Sequence, residues 1–167
     1  MSGTDRAAGA RWVAGFADAW VAQDVAALDA LFTEDIALHW DLGGEPLTGL
    51  EALREYWVAE GDLQSRIRLR WPDPLVSGSS VVGEFWVQMD YRGTDASDPE
   101  AIAAAHAARD LEARAVSGQL CVIADLDDAG RCSRLRQYQL GGDGDREPPA
   151  WWGTNTARTP DEATRGS

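Results

Sequence analysis

Residues 16–57 have the sequence FADAWVAQDVAALDALFTEDIALHWDLGGEPLTGLEALREYW, and this stretch decides the fold class. Apolar residues recur at helical spacing from 12 to 21, and a second, shorter helical pattern follows. Residues 35–41 then have the pattern of a strand. Thr48 and Glu51 have the T-x-x-E spacing of a capping box, which predicts a third helix. The predicted order is helix, short helix, strand, helix.

Strands dominate the second half of the chain. Residues 66–71 alternate strictly and carry three arginines on one face, which we expect to be ion-paired on the solvent side, with an anion-binding patch as the alternative. Residues 81–91 form a long predicted strand, and residues 118–126 and 131–140 a predicted hairpin. The alanine-rich segment near 98–116 predicts an additional helix. Helices followed by a strongly curved antiparallel sheet define an α+β class.

Length and composition predict one domain and a tail. The chain has 167 residues, and the domain is expected over 1–142. Residues 143–167 are rich in Gly, Asp, Pro, Thr and Ser, which predicts a mobile polar tail. Within it, the pair Trp151-Trp152 is expected to pack on the domain or on a partner chain.

The charge disfavours anionic partners. The chain has 15 basic and 28 acidic residues, a net charge of −13 at pH 7. Such a surface repels phosphate backbones and anionic lipids, so we expect neither nucleic acid nor membrane as partner. The first residues lack the apolar run of a secretory signal, so a cytoplasmic location is expected.

Several chemistries lack their residues. All 15 basic residues are arginine, so lysine Schiff-base catalysis and a P-loop are excluded. The two cysteines, Cys121 and Cys132, form no CxxC motif, and the two histidines, His39 and His106, are too few for a three-histidine metal site. We expect no metal and no organic cofactor.

The segment 16–57, with "ALF", "ED", a strand and then G-x-EP-x-x-G, resembles the opening of the NTF2-like superfamily in its SnoaL-like branch. The segment EFWVQMDYRG at 84–93 resembles the long central strand, and DLDDAGRCSRLRQYQ at 125–139 the closing hairpin. The resemblance implies a cone of N-terminal helices on a strongly curved sheet, with an extra helix inserted near 98–116. Members include isomerases, dehydratases, cyclases, epoxide hydrolases and binding modules, so the fold alone does not give the function.

Ketosteroid isomerase is one such relative, and its register can be laid on this chain. The resemblance then places its catalytic base on Trp40, its oxyanion-hole tyrosine on Phe16 and its protonated aspartic acid near Val122. These three side chains provide neither a base nor an oxyanion donor. Ketosteroid isomerase activity is therefore not expected.

The same register implies an apolar, aromatic cavity on the concave face, typical of a small-molecule pocket. The alternative is that these aromatics only fill a core. Gln137 and Tyr91 would orient a carbonyl or hydroxyl. The implied lining residues are Phe16, Trp20, Trp40, Tyr56, Trp57, Val87, Met89, Tyr91, Leu120, Val122, Leu135, Gln137 and Gln139.

His39 and Asp41 are the candidate acid and base. They lie two apart on a predicted strand, so both project to one face. A β-bulge would turn them into the cone and Trp40 out; without it they form a surface or helix-facing polar pair. His106 lies on the predicted extra helix, which would serve as a lid or as a fixed layer.

The leading hypothesis is a SnoaL-like enzyme that acts on an apolar, oxygenated small molecule by acid–base dehydration, cyclisation, isomerisation or hydrolysis. One alternative is a non-catalytic protein that binds a hydrophobic ligand in the cone, and another is a dimeric interaction module. The resemblance also implies a homodimer formed through the sheet face.

Overall fold

The computed structural model describes residues 5–40, 44–93 and 112–157. The helices of this part of the chain are α1 (Arg6–Ala22), α2 (Leu28–Leu31) and α3 (Leu50–Gly61). The strands are β1 (Phe32–His39), β2 (Leu47–Thr48), β3 (Gln64–Trp71), β4 (Leu75–Ser77), β5 (Ser80–Tyr91), β6 (Arg114–Leu126), β7 (Cys132–Asp143) and β8 (Asn155–Thr156). No helix within these ranges is long and apolar enough to cross a membrane.

The strands form one sheet in the order β2-β1-β7-β6-β5-β3-β8, and β4 pairs with β5. The helices pack on this curved sheet, which confirms the α+β cone. The sheet is mixed, however, and not antiparallel throughout as predicted, because β1 runs parallel to β7 with Leu38 opposite Leu135. The sequence does not reveal this parallel pairing. Parallel strands need only a long stretch of chain between them, and such a stretch carries no turn motif of its own.

Side chains alternate between two faces of the sheet. In the β5–β6 ladder, Phe85 lies opposite Leu120, and Trp86 lies opposite Gln119. Phe85 packs against Phe16 of α1, with ring centroids 5.8 Å apart. We therefore call the Phe85 side, which the helices cover, the inner face, and the Trp86 side the outer face.

Two glycines let α1 approach the sheet closely. A Cβ at Gly9 of α1 would lie 2.6 Å from the Val76 side chain, and one at Gly83 of β5 would lie 3.3 Å from Val13 of α1. At these positions a larger residue would separate helix and sheet. Helix and strand therefore close the cone at this end, where Val13 and Val81 are fully buried.

The predicted start of the third helix is wrong. The N-cap of α3 is Gly49, at a φ of +93°, and no side chain caps the helix. Thr48 belongs to β2, where it pairs with Ala37 of β1, so its hydroxyl does not serve the helix. The strand β1 also begins earlier than predicted, at Phe32, and ends at His39.

The predicted extra helix near 98–116 is wrong for its last residues. Arg114 begins β6 and pairs with Tyr91 of β5, because the ladder of backbone bonds outweighs the helix propensity of the alanine-rich segment. Residues 98–111, including His106, lie outside the described residues.

Residues 144–157, here the C-terminal strap, lie across the outer face. Ser117 Oγ donates to Gly144 O (2.7 Å), and Trp86 Nε1 donates to Arg146 O (2.9 Å). Trp152 is buried beside Trp86, with ring centroids 5.6 Å apart, and its Nε1 donates to Arg70 O (3.0 Å). This part of the tail therefore packs on the domain through Trp152 and its neighbours.

Ion pairs hold two arginines of β3, Arg66 and Arg68, on the outer face. Arg66 donates two hydrogen bonds to Asp90 (2.5 and 2.7 Å). Arg68 donates to both carboxylate oxygens of Asp145 in the strap (2.8 and 2.9 Å), and Gln88 donates to the same carboxylate (2.7 Å). Arg66 and Arg68 are therefore ion-paired as expected, whereas Arg70 forms no ion pair with the described residues, and the pair between Arg68 and Asp145 anchors the strap.

A shallow groove of about 290 Å³ remains on the outer face beside the strap. Glu84, Cys121 and Tyr138 form its central row across β5, β6 and β7. Leu140 and Trp152 also line it. Tyr138, Leu140 and the adjacent Trp151 are exposed, at 54%, 76% and 77%.

Candidate functional site

Burial along the inner face divides the predicted lining residues into two groups. One group is buried in the core, and the other is half-buried or exposed at the opposite end of the cone, here called the open end. The core group is Phe16, Val87, Leu120, Val122 and Leu135. The open-end group is Trp20, Trp40, Tyr56, Trp57, Met89, Tyr91, Gln137 and Gln139, of which Trp40 and Gln139 are exposed.

Phe16 forms the floor between these two groups. Its ring contacts Trp12, 5.4 Å away and nearly parallel, and Trp57, 5.8 Å away and edge-on. Trp20 and Phe32 also pack on it. With 2% of its surface exposed, Phe16 closes off the core, so part of the predicted cavity lining is solid core.

The open end carries a cluster of aromatic rings, here called the enclosure. Trp40 stacks on Tyr56 of α3, with centroids 5.0 Å apart and planes 11° apart. In the same open-end group, Trp20 Nε1 donates to Gln64 Oε1 (2.7 Å). Gln64 pairs with Tyr91 in the β3–β5 ladder, so this amide and phenol share one edge of the enclosure. Gln64 is a polar group that the sequence analysis did not identify.

Tyr56 lies at the centre of the electrostatics of this enclosure. Burial raises the pKa of its phenol above the ordinary value of 10, and the negative charge of Glu60 and the nearby Tyr91 raise it further. Tyr56 therefore remains a protonated hydrogen-bond donor at neutral pH. Glu60, also missed in the sequence analysis, follows Tyr56 by four positions on α3, and this spacing places both on one helix face.

Of the predicted acid–base pair, the structure describes His39 but not Asp41. His39 lies opposite Arg136 in the β1–β7 ladder, one position after the buried Leu38. Alternation therefore directs His39 to the outer face, while Trp40 returns to the side of α3. Asp41 lies outside the described residues, so the predicted acid–base pair stays a prediction.

The two predicted glutamines belong to the inner row of β7. Gln137 lies opposite Val122, and Gln139 opposite Leu120. Gln137 is half-buried and Gln139 is exposed, so they run outward toward the rim. Among the described residues, no group of three or more His, Cys, Asp or Glu side chains is placed to hold a metal ion.

Solved structures with this architecture include three with related descriptions. A protein described as a SnoaL-like polyketide cyclase from Jannaschia sp. CCS1 is 13% identical, with a TM-score of 0.63 over 80% of this chain and 85% of that one. The epoxide hydrolase/cyclase-like enzyme SalBIII, with a role in pyran ring formation in the polyether salinomycin, is 18% identical, with a TM-score of 0.62 over 84% and 99%. An LEH-like epoxide hydrolase from M. tuberculosis is 16% identical, with a TM-score of 0.58 over 80% and 84%.

These likenesses show the fold, whose members differ in chemistry. Comparison with curated protein sequences gives no match. The family of SnoaL-like domains, in contrast, matches residues 13–131, well over half of the chain. This match begins within α1, includes the whole of β5 and β6, and ends at the turn into β7. The chain belongs to the SnoaL-like domain family.

Proposed function

We propose that this protein is an enzyme that binds an apolar, oxygenated small molecule at the open end and transforms it by acid–base chemistry. The reaction class is dehydration, cyclisation, isomerisation or hydrolysis. The observation that carries the proposal is the cluster of aromatic and polar side chains at the open end, where Trp40 stacks on Tyr56 at 5.0 Å and burial, Glu60 and Tyr91 raise the pKa of the Tyr56 phenol. Neutral donors and a carboxylate in such a setting are the components of acid–base catalysis.

The residues divide the work according to their chemistry. The protonated phenol of Tyr56 donates a hydrogen bond to a substrate oxygen, where negative charge develops. The carboxylate of Glu60 accepts the proton that the substrate loses. It is assigned this role because its negative charge acts on the Tyr56 phenol. Tyr91 and Gln137 orient the rest of the ligand. Polyketide cyclase-like and epoxide hydrolase-like descriptions among proteins of the same fold support this class of reaction.

The test is a turnover screen with epoxides, β-hydroxy ketones and linear polyketones, read by mass spectrometry of the products. We expect at least one class to react, and Glu60→Gln to lower kcat by roughly 10²- to 10⁴-fold. Tyr56→Phe is expected to cause a smaller loss. Glu84→Gln and Tyr138→Phe make the same chemical changes on the outer face and serve as matched controls.

Two outcomes would contradict the proposal. Full activity in Glu60→Gln would remove the assigned base. If these compounds bind saturably but none of them is turned over, the protein is a binding protein and not an enzyme.

His39 and Asp41 remain a separate proposal for acid and base. It requires the end of β1 to adopt another conformation, because in the present one Trp40 stacks on Tyr56. Asp41→Asn and a rate profile from pH 5 to 8 test it with the substrate found in the screen. If Asp41→Asn is fully active and the profile is flat, neither residue takes part.

We also propose a homodimer that forms through the outer face. The strap already covers the Trp86 side, so the contact would use the exposed Tyr138, Leu140 and Trp151. Sedimentation velocity is expected to show a dimer, and Leu140→Asp a monomer. Val58→Asp, exposed on α3, is the matched control. A monomeric wild-type protein at the highest attainable concentration would contradict the dimer.

A further inference from the structure

The shallow groove beside the strap, here called the outer groove, has a carboxylate on one side and an aromatic ring on the other. Glu84 of β5, Cys121 of β6 and Tyr138 of β7 lie side by side across the sheet. Neighbouring strands are about 4.8 Å apart, so the backbones of Glu84 and Tyr138 are roughly 10 Å apart, with the small Cys121 side chain between them. The volume of about 290 Å³ suits one small molecule.

Apolar side chains complete the outer groove. Leu140 follows Tyr138 by two positions on β7, so both side chains are on the outer face. On the strap side, Trp152 packs beside Trp86, with ring centroids 5.6 Å apart. A ligand in this groove would therefore bury methyl or methylene groups against an aliphatic side chain and two aromatic rings.

Glu84 gives the outer groove a negative charge that is not compensated. Its side chain is exposed and has neither a hydrogen bond nor an ion pair with the described residues. The other acidic side chains of β5 and β6, Asp90 and Asp125, are each paired with an arginine. Burial and the charge of Glu84 raise the pKa of the Cys121 thiol, so the carboxylate acts on the centre of the groove.

A carboxylate among aromatic and aliphatic side chains favours a carbon-rich cation as ligand. A metal ion needs several ligating atoms, and no group of three or more His, Cys, Asp or Glu is placed to supply them within the described ranges. An anion is repelled by Glu84 and by the net charge of −13. A quaternary ammonium group, in contrast, can place its charge against the carboxylate and its methyl groups against the faces of the rings.

We infer that the outer groove binds a small quaternary ammonium compound between the carboxylate of Glu84 and the ring of Tyr138. The site lies on the opposite face of the sheet from the open end, so the inference goes beyond the proposed enzyme activity and does not depend on it. Tyr138 and Leu140 also belong to the proposed dimer contact, so every binding experiment uses one protein concentration.

Three probes of one shape test the charge of the ligand. Choline is the cation, neohexyl alcohol is its analogue with carbon in place of the nitrogen, and tert-butylacetate is an anion of similar size. Binding to the full chain is followed by ¹H–¹⁵N NMR titration at constant ionic strength. We expect choline to shift the backbone amides of Cys121 and Tyr138 saturably, with a Kd about tenfold lower than that of the alcohol. The anion is expected not to bind.

Two carboxylate variants separate the groove from the charge of the whole chain. Glu84→Gln keeps the size of the side chain and removes its charge, so we expect it to raise the Kd of choline about tenfold, to that of the alcohol. Glu55→Gln, exposed on α3, makes the same change in net charge and is the matched control. Because a distant charge is screened by salt, it is expected to change this Kd by less than about twofold.

A third measurement tests the role of the ring. The methyl protons of bound choline are expected to show nuclear Overhauser effects to the ring protons of Tyr138, because the cation lies against the ring face. Bound choline without these effects would exclude Tyr138 from the site.

The inference is overturned by equal Kd values for choline and the alcohol, by an unchanged choline Kd in Glu84→Gln, or by the absence of saturable shifts at Cys121 and Tyr138. A preference for choline that Glu84→Gln removes and Glu55→Gln keeps supports it. Either result leaves the effect of Glu60→Gln on turnover as it is, so the two proposals fail separately.

Discussion

The two faces of the sheet are covered in different ways. On the inner face, helix α1 packs through rings centred on Phe16, and Trp12 and Trp20 add hydrogen bonds to Leu31 O and Gln64 at the edge of this apolar contact. On the outer face, the strap is held by hydrogen bonds to Ser117, Trp86 and Arg70 and by the ion pair between Arg68 and Asp145. Helical periodicity in the sequence is therefore enough to predict that α1 covers the inner face. The strap on the outer face depends instead on individual polar contacts, which no periodicity in the sequence predicts.

The largest expected effect concerns the inner cover. Phe16→Ala removes a ring that contacts several others at 2% exposure, and we expect it to lower the free energy of unfolding by about 3–5 kcal/mol. Urea denaturation followed by circular dichroism measures this. Val58→Ala, on the exposed side of α3, is expected to change stability by about 0.5 kcal/mol or less. Equal effects would mean that Phe16 is not the centre of the core.

The next effect concerns the outer cover. Trp152→Ala removes a buried indole and its hydrogen bond to Arg70, so we expect a loss of about 3 kcal/mol. Trp151→Ala removes the adjacent side chain, which is 77% exposed, and is expected to cost about 0.5 kcal/mol or less. The pair compares two neighbours of identical chemistry by urea denaturation. A Trp152→Ala variant as stable as Trp151→Ala would show that the strap adds no stability.

A smaller effect concerns the pH dependence of the free energy of unfolding, to which the buried thiol of Cys132 contributes. Cys132 is fully buried, and burial raises the pKa of its thiol from 9 to about 12. The unfolded chain releases this proton more readily, so the thiol's contribution is complete below pH 9 and is lost as the pH rises toward 12. We expect the free energy of unfolding to fall over this range, and to fall less steeply in Cys132→Val. Parallel pH profiles of the two proteins would contradict the assignment.

The smallest effect leaves the fold intact. Cys121 lies in the outer groove and is half-buried, whereas Cys132 lies in the core. Burial and the charge of Glu84 raise the pKa of Cys121, so its reaction with a disulfide reagent is slow but complete in the native protein. Cys132 is expected to react only after denaturation. Two equally fast thiols, or one that persists in Cys121→Ser, would contradict this arrangement.

Sequence periodicity predicted the helix and strand of the inner face, but it did not predict contacts between residues that are distant in the sequence. The apolar spacing around Phe16 predicted α1, and alternation predicted β5 with Phe85 inward. The T-x-x-E spacing at Thr48 was misleading, because pairing of Thr48 with Ala37 placed it in a strand. Local patterns of this kind yield when a backbone partner from elsewhere is available.

The candidate site was predicted only in part for the same reason. The aromatic residues Trp40, Tyr56 and Trp57 were identified, because the register implied by the family resemblance places them on the concave side. Glu60 was missed, since its importance arises from its charge acting on a buried phenol. Which of two adjacent tryptophans docks was equally hidden, because Trp152 docks through contacts with Trp86 and Arg70, which are far away in the sequence.

The parallel pairing of β1 and β7 has a consequence for how the chain folds. Thr33 Oγ1 lies 3.5 Å from Cys132 O, although the two residues are 99 positions apart. Contacts so distant in sequence form late, because the entropy of closing the intervening loop must first be overcome. During synthesis, β1 therefore waits with one edge open until β7 emerges, and only β2 covers its other edge. Partly made chains are thus expected to be the form most prone to aggregation, and a chaperone that binds open strand edges would raise the yield of folded protein.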